Sequence, residues 1–136
     1  MFATLDRNLL TSVMLADGIF SLVTAAALFG LPGPIGSLVG PHATPAVVTG
    51  FAAFFVLWGA FHLAVARQAR PSSAAVRLAI AGDALWVLGS LALLLFARDG
   101  LTLAGMGLVA VAAVAVADIL LLKQIGLWRQ QRAALA

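Results

Sequence analysis

Cysteine is absent from this 136-residue chain, and so is tyrosine; all five acids are aspartate. Without cysteine there are no disulfides, thiolate metal sites or thiol redox chemistry. Charge is scarce as well: 10% of residues carry it, against about 25% in an ordinary soluble domain. What replaces it is apolar, 63% of the chain, with a mean hydropathy of +1.11. The solvent these numbers imply is lipid. No P-loop, nucleophile–base pair or paired-cysteine motif is present, so nothing positive points to an enzyme, and no cofactor is expected. The sequence pI of about 11.2 would fit nucleic acid, but the basic residues flank apolar segments instead of forming a patch, so no nucleic-acid partner is expected.

A spanning helix needs roughly 20 predominantly apolar residues. Four segments qualify, at about Leu9–Leu31, Ala46–Ala66, Val76–Ala97 and Leu101–Leu122. They make one domain over residues 1–136. All five prolines (Pro32, Pro34, Pro41, Pro45, Pro71) fall between them, where a missing N–H does no harm. Gly30-Leu31-Pro32-Gly33-Pro34 reads as a helix stop, and Ile35–Val39 as a stretch lying on the membrane surface. Ser72 or Ser73 is the expected N-cap of the third span, and Gly126 a weak point in an extended fourth helix. The first segment reads as a retained span, because it is too long for a signal peptide and Asp17 interrupts it.

Orientation follows from lysine and arginine. Arg7, Arg67, Arg70, Arg77, Lys123, Arg129 and Arg132 fall on one side of a four-span layout, and Arg98 alone on the other. The positive-inside rule then places both termini in the cytoplasm. The expected fold is an all-α, antiparallel four-helix transmembrane bundle. A weak internal match, Asp17 on Asp83 and His62 on Asp118, suggests two pseudo-repeated helical hairpins.

Ala84-Leu85-Trp86-Val87-Leu88-Gly89-Ser90-Leu91, with Leu15-Ala16-Asp17 and Gln124-Ile125-Gly126-Leu127-Trp128-Arg129, resembles an uncharacterised group of small bacterial four-span membrane proteins. Asp83 stands where that group usually has Asn, and Leu121 where it often has Glu. The resemblance implies a bacterial inner-membrane protein and carries no function.

Within the spans, Asp17, His62, Asp83 and Asp118 are costly in lipid and need a partner, a wet pocket or a task. Asp17, Ser21 and Thr24 share one helix face, and Asp83, Trp86 and Ser90 another. If these stripes face each other they line a polar track from the cytoplasmic side toward the midplane. Such a set can hold a divalent cation or pass protons. The bland alternative is a set of packed or interfacial hydrogen bonders. Asp17 and Asp83 are expected to face inward beside each other or His62, and Asp118 to reach Lys123 or Arg67. A haem held between two histidines is not expected, because His42 falls in the outer loop. Phe51, Phe54, Phe55 and Phe61 read as packing rather than as a quinone or pigment wall. Two functions survive: a non-catalytic scaffold or accessory subunit in a homo-oligomer or larger complex, and an oligomeric transporter or channel for protons or cations.

Overall fold

The computed structural model describes the backbone of residues 2–136 and the side chains from Leu9 onward, so the side chain of Arg7 lies outside the described residues. It is an all-α bundle of α1 (Phe2–Gly30), α2 (Pro32–Val39), α3 (Pro45–Ala66), α4 (Ser73–Phe96) and α5 (Leu103–Leu135), with a 3-10 turn at Arg98–Gly100. Four of these helices are long and apolar enough to cross a membrane: Leu9–Gly30, Pro45–Ala66, Ser73–Phe96 and Leu103–Leu135. Their outer faces carry Leu57, Leu85, Leu88 and Val111, all well exposed, while the buried set includes Asp17, His62, Asp83 and Lys123. Apolar outside and polar inside is the distribution of a multi-pass helical membrane protein.

Local chemistry sets the boundaries. Thr44, Ser72 and Thr102 cap α3, α4 and α5, each hydroxyl accepting a backbone N–H three residues on. Pro45 occupies the first turn of α3, where no N–H is needed. The Ile35–Val39 stretch belongs to a complete two-turn helix, α2, packed on α1, α3 and α5. Gly126 is no weak point. The helix runs through it without a break, because its missing side chain admits Leu10 of α1, whose Cα would lie 3.1 Å from an added Cβ.

The two ends of the bundle are tied differently. At one end the Thr102 N–H donates to Val39 O at 2.9 Å, and its hydroxyl donates to Leu38 O. Gly40, at φ +155°, lies against the Gly100 carbonyl so closely that a Cβ has no room. At the other end Gln130 donates to Pro71 O at 2.9 Å, Arg70 donates to Gln130 O at 3.3 Å, and Arg132 sits 3.6 Å over the Trp128 ring. The start of α4 and the ends of α3 and α5 therefore gather at this basic end, and Leu10 in the early part of α1 packs on Gly126 beside them.

Packing is uneven. The most extensive pairings are α1 with α3 and α4 with α5, joined through α1 and α5. The consecutive helices α3 and α4 barely touch by backbone. Aromatic rings hold them apart. The Trp58 ring lies on Gly82, and Trp86 meets Phe51 and Phe55 edge-on, with centroids 6.1 and 5.4 Å away. Phe55 and Phe61 are half-buried in this wedge, whereas Phe51 and Phe54 are exposed at its rim.

Candidate functional site

Each spanning helix contributes one polar side chain to a single buried cluster. Asp17 comes from α1, His62 from α3, Asp83 from α4 and Lys123 from α5. Side chains lean toward the N-terminus of their own helix. Asp17 and Asp83 accordingly lean toward the basic end, while His62 and Lys123 lean away from it, and the four meet at one level.

Lys123 is the centre. Its side chain is 0% exposed, and Nζ bonds Asp17 Oδ2, Asp83 Oδ2 at 2.6 Å and His62 Nε2 at 2.8 Å. An ammonium has three N–H donors and no acceptor. All three are used. The far side of the imidazole is equally determined: His62 Nδ1 is 2.8 Å from the Trp58 carbonyl, which can only accept, so Nδ1 carries a proton. In the neutral ring Nε2 keeps its lone pair and accepts from Lys123 at 2.8 Å, and this is the form that saturates the ammonium. Asp17 Oδ2 stands 3.0 Å from the same Nε2, which places these two groups in contact beneath the shared ammonium.

Asp17, His62 and Asp83 offer ligand atoms all within 4.8 Å of one another, a spacing that suits a metal ion. The ammonium takes that place. Lys123 is a tethered cation in a three-ligand cradle.

A layer of apolar side chains closes the cluster from the basic end. Met14 lies one helical turn from Asp17, Val65 and Ala66 from His62, Ala79 from Asp83 and Leu127 from Lys123, and they form one buried core with Leu10 and Val76. This corrects the expected track from the cytoplasmic side. The other stripe residues lie in the opposite direction: Ser21 and Ser90 are buried, and Thr24 is half-buried, toward the end where α1 meets α2. The two stripes are bridged by Lys123 instead of facing each other directly.

Asp118 is also corrected. It is exposed, and among the described residues it has no ion pair or hydrogen bond. Lys123 follows it by five positions, which is about 140° around a helix at 3.6 residues per turn. With Lys123 inward, Asp118 must face out, and Arg67 at the end of α3 does not come to it. Asp118 therefore does not occupy the place of His62 that the internal match assigns to it.

Sequence reasoning missed Lys123, which it counted with the flanking charges. One signal was available: Lys123 is the only lysine among eight basic residues. Gly18 was missed as well. A Cβ on Gly59 would lie 2.9 Å from Gly18 O, and one on Gly18 would lie 3.2 Å from Gly59 O, so the two glycines set the close crossing of α1 and α3 that brings Asp17 to His62. Gly59→Leu is expected to push these helices apart and cost about 1–3 kcal/mol, as overpacking does. Gly89, which faces open space, is the control. Equal unfolding midpoints for Gly59→Leu and Gly89→Leu would remove the crossing from this account.

No family model, curated protein or solved structure matches the chain.

Proposed function

We propose that this is a non-catalytic integral membrane protein, a scaffold or accessory subunit, whose four spans are fastened by the Lys123 cluster. The observation that carries this reading is the saturation of the site. One side chain comes from every span, every ammonium N–H has an acceptor, and an apolar layer closes the basic end. Such a network specifies one arrangement of four otherwise greasy helices, which have no hydrophobic drive to choose among their faces in lipid.

The helices are proposed to run antiparallel in a bacterial inner membrane with both termini cytoplasmic. Lys123 leaves the orientation count, but Arg67, Arg70, Arg77, Arg129 and Arg132 still outnumber Arg98. The resemblance of the third and fourth spans to small bacterial four-span proteins supports the same placement.

A second reading, an oligomeric transporter or channel for protons or cations, has one observation in its favour. Two carboxylates face one ammonium, so with His62 neutral and both acids ionised the buried site is one positive charge short. Proteoliposome flux separates the two. The scaffold reading expects proton and monovalent-cation flux no greater than that of empty liposomes, and the same for Asp17→Asn. Flux that appears with the wild type and disappears in Asp17→Asn replaces the scaffold by the transporter.

A further inference from the structure

Of Asp17, His62, Asp83 and Asp118, the residues that the sequence marks as costly inside the spans, Asp118 is the one left on the outside. It lies about one turn inside the end of a 30 Å hydrocarbon layer counted from Leu103, some 22 Å along α5 at 1.5 Å per residue. Intramembrane carboxylates almost always face a bundle interior or a water-filled cavity, because lipid exposure costs about 2.5–3.5 kcal/mol at mid-membrane on insertion scales, and less toward the boundary. The stripe on which Asp118 stands is otherwise smooth and apolar: Val111, Val114 and Leu122 are all exposed. Gly107, one turn before Val111, meets nothing within 4 Å of an added Cβ. This face therefore combines an unmatched charge with the small and apolar residues that close helix contacts use.

The complementary charge is on the neighbouring helix. Arg77 of α4 is exposed, without an ion pair or hydrogen bond among the described residues, and α4 packs along α5. Counted from Phe96, Arg77 lies about 28 Å along its helix at the same rise, one turn nearer the basic end than Asp118. Helix direction leans Arg77 toward the basic end and Asp118 away from it, so the contact needs the long arginine stem to fold back along α4, where Ala81, the next residue on the Arg77 stripe, leaves room. The other arginines at this end fit less well. Arg70 and Arg132 have partners, Arg129 is engaged, and Arg67 closes α3, which does not border α5 closely.

We infer that the α4–α5 wall pairs with a second copy of this chain about a two-fold axis along the membrane normal, Asp118 of each protomer meeting Arg77 of the other. Two-fold pairing is isologous, so one contact appears twice and both charges are matched. This deepens the scaffold reading by naming the partner, and it leaves the Lys123 cluster untouched at the centre of each protomer.

Charge reversal tests it in lipid nanodiscs, with mass measured by light scattering as protein is diluted. The wild type is expected to be a dimer. Asp118→Arg and Arg77→Asp are each expected to weaken dimerisation by at least about tenfold, or 1.4 kcal/mol, the lower end of what close charge pairs contribute at interfaces. The double variant is expected to recover most of that loss. Asp118→Asn and Arg77→Gln give the same reading if a reversal prevents folding. A monomeric wild type, a double variant no tighter than the singles, or assembly only with a different membrane protein overturns the pairing. The last of these leaves the scaffold reading standing, whereas cation flux abolished by Asp17→Asn removes that reading and leaves the dimer.

Discussion

Lys123→Met is expected to be the most damaging single substitution in this chain, at about 3–5 kcal/mol, the cost of breaking a buried ion pair by removing one partner. Three acceptors lose their common donor at once: Asp17, Asp83 and His62. No water replaces it easily, because Met14, Val65, Ala79 and Leu127 close the basic side. The same physics predicts rescue. Removing the opposing charges as well, in Asp17→Asn with Asp83→Asn on the Lys123→Met background, is expected to recover most of the loss, since replacing a whole buried network is often near neutral. Equilibrium unfolding in mixed micelles reads both effects. An unchanged midpoint for Lys123→Met, or a triple variant as unstable as the sum of its parts, contradicts the role given to the ammonium.

The four spans were legible because their signal is length and composition, and lipid demands both. Helix caps were legible for a similar reason: Ser72 sits directly after the proline that ends the preceding turn, and its hydroxyl accepts from Ala75 N. The inward direction of Asp17, His62 and Asp83 followed from the cost of leaving them in lipid. Their keystone did not follow. A lysine five residues beyond an interfacial aspartate looks like a flanking charge, and counting rules treat it so. Its angular position turns it inward, on the same face as the buried Leu127 one turn on, and the direction of its helix sets its depth. On α5 the basic end is the C-terminal end, and a side chain that leans toward the N-terminus leans toward the middle of the span. Snorkelling outward would have required the opposite lean. Its being a lysine among arginines fits the site, since a compact ammonium with three rotatable donors suits three convergent acceptors and a planar guanidinium does not. The closeness of α1 and α3 was half visible, in Gly59 but not Gly18, because one glycine in an apolar run gives no hint of which helix it will meet. The separation of α3 and α4 was not visible at all. Consecutive spans joined by a short turn read as neighbours, and only the bulk of Trp58 and Trp86 between them shows otherwise.

Lys123→Ala is expected to do something that Lys123→Met does not: create a binding site for a divalent transition metal. Methionine refills the space of the lysine stem with apolar atoms. Alanine removes both the stem and the charge, and leaves two carboxylates and one imidazole converging on a vacated cation position. Their ligand atoms lie within 4.8 Å of one another, so a modest contraction suffices for the 2.0–2.2 Å bonds that zinc makes to nitrogen and oxygen. The histidine is already oriented, because its Nδ1–H donates to the Trp58 carbonyl at 2.8 Å, the outer-sphere support that metal-bound imidazoles usually have. Two aspartates and a neutral histidine also balance a divalent charge, which the single ammonium does not. The wild type is expected to gain no stability from zinc, its cation position being filled. Lys123→Ala is expected to lose stability in chelator and to regain about 2.7 kcal/mol when free zinc stands at 100 times its dissociation constant. The measurement is the unfolding midpoint against buffered zinc, for the wild type, Lys123→Ala and Lys123→Ala with His62→Gln. A zinc response in the wild type would mean that the ammonium does not hold the site. A response in Lys123→Ala that survives His62→Gln would place the metal elsewhere.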